Sequence, residues 1–399
     1  MNFLRSCVSV FFLVFSFSFF SCNSTSSISQ NEPNFPKTEE PQMSSITMLF
    51  AGDIMAHEIN FKAQNFERIW QDVKPLVKSC NLAFANIEAP VNSKHEWSTY
   101  PQFNMHPEYV QAAIDSGFNV FSLANNHTND WYLDGINATR NYFEKMTDVF
   151  ACGIKSNPSQ KLTFQIIEKN GWKILFAAVT EILNRPDYAS WIDYFPPKKH
   201  SQLIEELKKI QSQNEHDIFV LSVHTDEEEY KKNVTESHKK FFRQLIEECK
   251  VDVIWANHPH VYKTFETVTI SDSKTEKSAQ SDSPSTETRK AFIMYANGNT
   301  ISGQRTSPSL TKTANARDDT GDGLFIKMTF EKTSSQVSIR QIEPHFITSY
   351  IQPDGQIVLR LVDDDFIHCL KRSGLFYWAK YIESRKKIYE NTKGNSLWQ

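Results

Sequence analysis

An apolar run that stops abruptly at a group of polar side chains constrains this chain more than any other feature. The run, residues 120–124, is typical of a buried strand, and Asn125, Asn126 and His127 follow it directly, with Asp130 three residues later. In open α/β folds, ligands bind just outside the carboxyl ends of the strands. On its own, the stretch fits a polar turn that caps a helix, which is a commoner feature than a catalytic site.

The same arrangement recurs along the chain, which favours the functional interpretation. Four further apolar runs end on polar side chains, namely Asp53, Glu88, His224, and the pair His258 and His260. The carboxyl ends of parallel strands meet at one edge of a sheet, so we expect these side chains to share a single pocket. Carboxylate, amide oxygen and neutral imidazole together suit a first-row divalent cation such as Mn, Zn, Fe or Co.

Helical segments separate the predicted strands, which predicts an α/β fold. Apolar residues recur at helical spacing in five segments: residues 65–78, 107–116, 135–145, 201–213 and 239–249. A predicted hairpin around Asn170 and Gly171 adds antiparallel pairing, so the sheets are expected to be mixed.

Composition excludes some classes of function. The chain has 399 residues, 40% of them hydrophobic, and a formal net charge of -4, and it contains no basic cluster interleaved with aromatic residues. Nucleic-acid binding is therefore not expected. Cys80, Cys152, Cys249 and Cys369 are far apart and form no CxxC pair, which argues against a cysteine-based zinc site but leaves their disulfide state open.

The N-terminal segment predicts export. Arg5 precedes an apolar stretch at residues 7–20, and Ser21 and Cys22 follow, as in a bacterial lipoprotein signal whose Cys22 is lipidated. An uncleaved anchor and a plain secretory signal remain open alternatives. Each version predicts export, and the lipoprotein version anchors the mature chain to the membrane in the cell envelope.

The remainder divides into four predicted regions. Residues 23–45 are polar and predict a disordered tether, and residues 46–345 form the folded domain. Within that domain residues 271–290 are expected to be a flexible insertion, and residues 346–399 a C-terminal extension.

Two shorter segments also carry expectations. Residues 182–200 are rich in aromatic residues and proline and predict a loop or lid. Its residues 191–195 are expected to pack against the core, with substrate contact as the alternative. Residues 227–229, three consecutive glutamates, predict a solvated charged loop rather than metal ligands.

His127 and Asp130 predict a proton donor. They lie three residues apart, so that one turn of chain can hold the imidazole against the carboxylate. Two cations about 3.5–4 Å apart, bridged by one carboxylate, can clamp a phosphate, and a histidine oriented by an aspartate then protonates the leaving group.

Five motifs in the chain resemble those of one family. They are Gly-Asp-Ile-Met at residues 52–55, Ala-Asn-Ile-Glu at 85–88, Ala-Asn-Asn-His at 124–127 followed by Asp130 and Gly135, Asn-His-Pro-His-Val at 257–261, and Tyr-Ala-Asn-Gly-Asn at 295–299. In order and spacing they are similar to the motifs of the CapA family, also called PgsA, which is linked to poly-γ-glutamate capsule synthesis. The resemblance covers roughly residues 46–345.

The resemblance implies a fold and a set of site residues. The implied fold is a four-layer α/β/β/α sandwich of the metallo-dependent phosphatase type with mixed sheets. The implied ligands of two divalent cations are Asp53, Glu88, Asn126, His224, His258 and His260, with Glu88 at the position where phosphoesterases more often have a bridging aspartate. His127 and Asp130 resemble the acid dyad of the related nucleotidases.

Three departures from the family pattern concern metal occupancy and turnover. His57 lies four residues after Asp53, where ordinary phosphoesterases have Asp-x-His. The family motif His-Trp-Gly-x-Glu-Tyr is replaced by the more acidic sequence of residues 224–230, and Asn257 replaces the first histidine of His-His-Pro-His.

The implied activity leaves three hypotheses open. In the first, the chain is a metal-dependent hydrolase of a phosphoester or anionic polymer, working with a capsule-synthesis complex in capsule or related envelope polymer production. In the second, it hydrolyses or transfers the amide bond of a γ-glutamyl polymer. In the third, it is a non-catalytic subunit that binds or assembles an envelope polymer.

Overall fold

The computed structural model describes residues 43–272, 287–310, 316–334 and 336–393, and two β-sheets dominate this part of the chain. The first sheet has eight strands: β1 (Ser44–Ile54), β2 (Leu82–Ile87), β3 (Val120–Ser122), β4 (Phe150–Cys152), β11 (Asn299–Ile301), β12 (Asp322–Lys332), β13 (Val337–Ile351) and β14 (Ile357–Leu361). Their order is β14-β13-β12-β1-β2-β3-β4, with β11 pairing beside β1. Strands β1 to β4 are parallel, whereas β12 to β14 are antiparallel.

The second sheet has six strands: β5 (Phe164–Lys169), β6 (Trp172–Thr180), β7 (Ile218–His224), β8 (Val253–Asn257), β9 (Phe265–Asp272) and β10 (Glu287–Met294). Their order is β5-β6-β7-β8-β10-β9, with a parallel centre and an antiparallel strand at each edge. Strands β5 and β6 form the predicted hairpin, in which Asn170 and Gly171 have φ values of 51° and 78°, as a tight hairpin turn requires.

Ten α-helices accompany the sheets in the described ranges: α1 (Glu58–Phe61), α2 (Glu67–Trp70), α3 (Lys74–Lys78), α4 (Pro107–Asp115), α5 (Tyr132–Phe143), α6 (His200–Gln213), α7 (Glu236–Cys249), α8 (Ala316–Asp319), α9 (Asp364–Arg372) and α10 (Phe376–Lys393). Among these residues no helix combines the length and the apolar character needed to cross a membrane.

Three apolar clusters define the layers. The first lies between the sheets and contains Phe50 and Trp255, while the second packs Trp70 and other residues of α2 to α5 on the outer face of the first sheet. The third packs α6 and α7 on the outer face of the second sheet. Along the longer strands, side chains alternate between an inner and an outer cluster, as a sheet covered on both faces requires. The predicted four-layer α/β/β/α sandwich with mixed sheets is therefore confirmed.

Four aromatic rings close the inner core just below the carboxyl ends of the strands. Phe84 stacks on Phe50 at 4.6 Å between ring centroids and lies 5.6 Å from Phe176 and 5.9 Å from Trp255. The indole N–H of Trp255 donates to the carbonyl of Ala51 at 2.6 Å, so the ring ties one sheet to the other. The rings form an apolar floor beneath the polar strand ends.

The prediction of one continuous helix over residues 65–78 is wrong. The structure divides it into α2 and α3, with a break before Pro75. Proline lacks the N–H that would donate to the carbonyl four residues earlier and clashes with it, so it is tolerated only in the first turn of a helix. The apolar face nevertheless persists, because Trp70 and Val77 both enter the same core.

Some of the predicted regions lie outside the described residues, and two of the predicted boundaries fall within strands. The signal at residues 1–22, with Cys22, lies outside the described residues, as does nearly all of the tether at 23–45 and most of the insertion at 271–290. Strands β9 and β10 pair as far as Asp272 and Glu287, so the ends of that insertion belong to the sheet. Strand β13 runs through the boundary expected at residue 345, and β14 joins the same sheet. In the described part, Cys80, Cys152, Cys249 and Cys369 are unpaired.

Two buried arginines hold the C-terminal helix against the core. Arg385 of α10 is fully buried and donates through Nε to Asp322 Oδ2 at 2.6 Å, and it also pairs with Asp319. Arg305 donates to the other oxygen of Asp322, again at 2.6 Å. Burial alone would raise the pKa of Asp322, but Arg385 and Arg305 lower it.

Candidate metal centre

The structure brings all eight predicted site residues to one edge of the sandwich. Strands β1, β2 and β3 of the first sheet and β7 and β8 of the second end there. Each of these residues is at most 3% exposed: Asp53, Glu88, Asn126, His127, Asp130, His224, His258 and His260. Burial of so many polar groups in one place requires hydrogen bonds or ions to satisfy them.

Local backbone geometry places two of the motifs. A Cβ atom on Gly52 would lie 1.7 Å from the carbonyl oxygen of Gly298, so only glycine allows β1 to approach this closely. The N–H of Asp53 then donates to that oxygen at 3.1 Å. His258 and His260 have φ values of 103° and 58°, which are uncommon for residues with a Cβ and are characteristic of constrained functional turns.

Glu88 lies between two groups of potential ligands. Its Oε1 is 3.7 Å from Nε2 of His224 and 3.7 Å from Nε2 of His260. Glu88, His224 and His258 form one group whose ligand atoms all lie within 4.8 Å of one another, and Asp53, Glu88 and His260 form another. A single carboxylate is therefore shared by two adjacent ligand groups.

The group around His224 offers four ligand atoms. The Nε2 atom of His224 is 2.8 Å from Asn126 Oδ1 and 3.2 Å from His258 Nδ1. The amide oxygen of Asn126 therefore joins Glu88 and the two imidazoles around one point. Two imidazoles, one carboxylate and one amide oxygen are a donor set suited to Zn, Mn, Fe or Co.

The group around Asp53 offers three ligand atoms, and two asparagines orient the side chains of Asp53 and His260. Asn86 donates to Asp53 Oδ1 at 2.8 Å, and Asp53 Oδ2 lies 3.4 Å from His260 Nδ1. Asn299 Oδ1 is 3.0 Å from the same His260 nitrogen. When Nδ1–H donates to Asn299, the lone pair of His260 is left on Nε2, on the side of Glu88.

The protonation behaviour of the two ligand groups around Glu88 favours a bound cation. The pKa of Glu88 is raised well above its ordinary value, first by burial and then by the negative charge of Asp53. Burial, followed by the neighbouring imidazoles, lowers the pKa of His224 and of His258. Neutral imidazoles keep the lone pairs that a cation requires, and a divalent cation would balance the two carboxylates.

Three buried oxygens test whether a cation fits. Asp53 Oδ2 and both carboxylate oxygens of Glu88 have no hydrogen-bond partner among the described residues. Unpartnered buried carboxylate oxygens are costly, so their presence at the centre of two imidazole groups has a ready explanation in a cation that binds them. These buried clusters fit divalent metal binding.

His127 and Asp130 form the predicted dyad beside these groups. His127 Nδ1 lies 2.7 Å from Asp130 Oδ2, and that oxygen also accepts from the backbone N–H of Phe103 at 2.7 Å. With Asp130 fixed in this way, Nδ1–H donates to the carboxylate. The other nitrogen, Nε2, is left for exchange of a proton with a bound molecule.

A cavity of about 520 Å³ opens beside the dyad. Its lining includes His127 and His260, and Arg317 lies at its edge with its guanidinium 4.8 Å from the centre of the Tyr230 ring.

His57 also lines the cavity but belongs to neither ligand group. Burial, together with His260 and His127, lowers the pKa of His57 to about 3, and its Nδ1 accepts from the N–H of Gly303. The departure at the Asp-x-His position therefore leaves the group around Asp53 with three protein ligands: Asp53, Glu88 and His260.

Sequence reasoning missed three asparagines that orient the site. Asn86 and Asn299 lie within two of the five family motifs, so their positions carried a signal. Asn184 lies in the loop after β6, with Nδ2 3.2 Å from His127 Nδ1 and Oδ1 3.2 Å from Asn126 Nδ2. No motif or periodicity marks Asn184.

A second acidic cluster lies behind β7 and is satisfied internally. His238 Nε2 is 2.8 Å from Glu181 Oε2 and 3.3 Å from Asp226, and Nδ1 is 3.1 Å from Glu227. The solvated loop predicted for residues 227–229 is wrong for Glu227, which is 5% exposed and also pairs with Lys263. Because every one of these carboxylates already has a cationic partner, this cluster makes a weaker metal site than the one around Glu88.

His238 is expected to make the free energy of unfolding fall as the pH rises above neutrality. Burial alone would lower its pKa, but the hydrogen bonds to Asp226, Glu181 and Glu227 raise it to about 11. Since the folded state holds the proton more tightly than the unfolded chain, its contribution is complete below the ordinary pKa of about 6.5 and is lost as pH rises through about 11. In urea titrations from pH 6 to 10, we expect the free energy of unfolding to decline less steeply in His238→Gln than in the wild type. Equal slopes would contradict this charge assignment.

Comparison with known proteins places the chain among capsule proteins. A family model described as bacterial capsule synthesis protein PGA_cap matches residues 47–304, which include all eight predicted site residues. The PGA biosynthesis protein CapA of Bacillus subtilis (strain 168) is 24% identical over 243 residues, covering 58% of this chain and 62% of that protein. The capsule biosynthesis protein CapA of Bacillus anthracis is 23% identical over 234 residues, covering 55% and 56%. The chain thus matches less than two thirds of the length of either relative.

A solved structure is also similar. A novel phosphatase of Mycoplasma pneumoniae aligns with a TM-score of 0.44 and 14% sequence identity, covering 77% of this chain and 95% of that one. The layers and strand order described above stand independently of this likeness.

Proposed function

Because the chain belongs to the bacterial capsule synthesis protein PGA_cap family, we propose that it is a metal-dependent hydrolase that acts on a phosphoester in the production of a capsule or related envelope polymer. The single observation that supports this most strongly is Glu88, whose two unpartnered oxygens are shared by two imidazole-containing groups beside a His-Asp dyad.

The residues divide the work between binding and proton transfer. Asp53, Glu88 and His260 would hold one divalent cation, and Glu88, Asn126, His224 and His258 would hold a second. Bound cations of the Mn, Zn, Fe or Co class supply Lewis-acid polarisation of a phosphoryl group. The aromatic floor of Phe50, Phe84, Phe176 and Trp255 keeps water away from the underside of the site.

His127 would act as the general acid. Its Nδ1–H stays on Asp130, which holds the ring in one orientation and stabilises the imidazolium, while Nε2 delivers a proton to the leaving-group oxygen. The cavity gives that nitrogen access to a substrate. The substrate's leaving group would therefore lie toward His127, with the phosphoryl group toward Glu88.

Replacement of His127 tests this function. In His127→Asn, which removes the acid without removing a predicted ligand, we expect kcat for p-nitrophenyl phosphate or a less activated alkyl phosphate to fall about 10²- to 10⁴-fold, with the larger loss for the alkyl ester, whose leaving group needs the proton more. The metal content of the purified protein should be unchanged. His368→Asn, in an exposed residue of α9, is the control. Wild-type protein that binds metal but hydrolyses no phosphoester would contradict the proposal.

A second candidate activity is hydrolysis of a γ-glutamyl amide. The observation that favours it is Arg317, a cation at the edge of the cavity that suits the repeated carboxylates of such a polymer. Cleavage of poly-γ-glutamate without cleavage of phosphoesters would select this activity. Polymer binding by protein that holds no stoichiometric metal would instead select a non-catalytic assembly subunit.

The proposed location is the cell envelope. Support comes from the N-terminal sequence, in which an apolar stretch ends at Ser21 and Cys22. A lipid on Cys22 would hold the folded domain at the outer side of the membrane, where a capsule-synthesis complex and its anionic polymer would be its partners.

A further inference from the structure

The loop that follows β6 is bound to the turn that follows β3. The backbone N–H of Asn184 donates to the carbonyl of Asn126 at 3.1 Å. Asn129 donates to the carbonyls of Arg185 at 3.0 Å and Asp187 at 2.6 Å, and the Arg185 guanidinium lies 4.6 Å from the centre of the Tyr132 ring. Loop and turn therefore hold each other through main-chain and side-chain contacts.

Asn184 distinguishes the two ends of the Asn126 amide. Asn126 Nδ2 donates to Asn184 Oδ1 at 3.2 Å, while Asn126 Oδ1 faces His224 Nε2 at 2.8 Å. A half-turn of the Asn126 amide would exchange these atoms and aim its NH₂ group at the centre of the ligand group. An amide nitrogen has no available lone pair, so only the observed orientation offers a ligand.

Asn184 also reaches the general acid. Its Nδ2 lies 3.2 Å from Nδ1 and 3.4 Å from Nε2 of His127. Because Nδ1–H already donates to Asp130, the amide N–H of Asn184 can donate only to Nε2, and only while Nε2 carries no proton. One side chain of the loop thus contacts a predicted ligand and the predicted acid together.

We propose that Asn184 is a positioning residue that fixes the amide of Asn126 for cation binding. The inference rests on the proposed function, since it assigns Asn184 a role toward the same cations. Asn184 itself is exposed, whereas Asn126 and His127 are buried. Its truncation opens no cavity in the core, so its effect falls on the site rather than on the fold.

Two variants separate the roles of the two ends of the Asn184 side chain. Asn184→Leu removes both contacts, whereas Asn184→Asp keeps an oxygen that accepts from Asn126 Nδ2 and loses only the donor toward His127. Cation affinity is measured by calorimetry on chelator-treated full chain with Mn²⁺, Zn²⁺, Fe²⁺ and Co²⁺ in turn, and thermal unfolding is followed in parallel. Asn157→Leu, in an exposed asparagine of another loop, is the matched control.

We expect Asn184→Leu to bind the cation about 10- to 100-fold more weakly, the usual effect of losing a residue that orients a ligand. Asn184→Asp and Asn157→Leu should retain affinity at or above that of the wild type, and the chelated forms of all variants should melt at the wild-type temperature. Wild-type affinity in Asn184→Leu overturns the inference and leaves the proposed function intact. Failure of the wild type to take up any of the four cations overturns both.

Discussion

Replacing Glu88 with glutamine is expected to abolish activity while leaving the fold intact. Glutamine keeps the shape of the side chain but offers one oxygen in place of two, so the two ligand groups can no longer share it. Lewis-acid stabilisation contributes several kcal/mol to such reactions, which corresponds to a loss of about 10³-fold or more in kcat/KM. Elemental analysis should show less bound metal per chain than in the wild type.

The same substitution should have opposite effects on the stability of the metal-free and metal-bound forms. In chelator, Glu88→Gln removes a buried carboxyl group whose oxygens lack partners, so we expect its melting temperature to equal or exceed that of the wild type. With metal added, the wild type should gain stability from the bound ligand and the variant should gain less. Glu205→Gln, in an exposed residue of α6, is the control. A Glu88→Gln protein with wild-type metal content and activity would remove the shared carboxylate from the mechanism.

Sequence alone predicts the location of this site because the pattern is tied to backbone geometry. An apolar run that ends on a polar residue marks the carboxyl end of a buried parallel strand, and such ends must meet. Asp53 and His224 lie 171 positions apart by their numbers but at the same edge of the sandwich. The family suggested by the motifs is confirmed by the match over residues 47–304, whereas the roles of the individual residues stay predictions.

Other features depend on contacts that no local pattern encodes. Asn184 lies in a loop without periodicity, and its role follows only from the position of the turn after β3. Glu227 reads as a solvated residue in an acidic run, but Lys263 and His238 meet it from distant elements. Likewise, no local pattern in the predicted C-terminal extension indicates that the side chain of Arg385 is fully buried. Tertiary partners, rather than residue type, decide whether such groups lie inside.

Arg385 therefore carries the largest stability prediction. Its side chain is fully buried between Asp322 and Asp319, each of which keeps one other cationic partner, Arg305 and Lys232 respectively. Removing one partner of a buried ion pair typically costs about 3–5 kcal/mol, and we expect the lower end of that range because neither aspartate is left without a cation. Arg385→Met, which keeps the apolar stem, should lower the free energy of unfolding by that amount in urea titrations at neutral pH. Lys386→Ala, which breaks the more exposed pair with Asp364 on the same helix, should change it by about 1 kcal/mol or less.

The effect of Arg385→Met should also extend to the metal centre. Asp319 and Asp322 flank Thr320, whose carbonyl accepts from Asn299 Nδ2 at 2.8 Å, and Asn299 in turn orients His260. A loosened segment around Thr320 would free the His260 ring, so we expect weaker cation binding in Arg385→Met under conditions where the protein is still folded. Wild-type cation affinity in a destabilised but folded Arg385→Met protein would show that the C-terminal helix supports the fold without supporting the site.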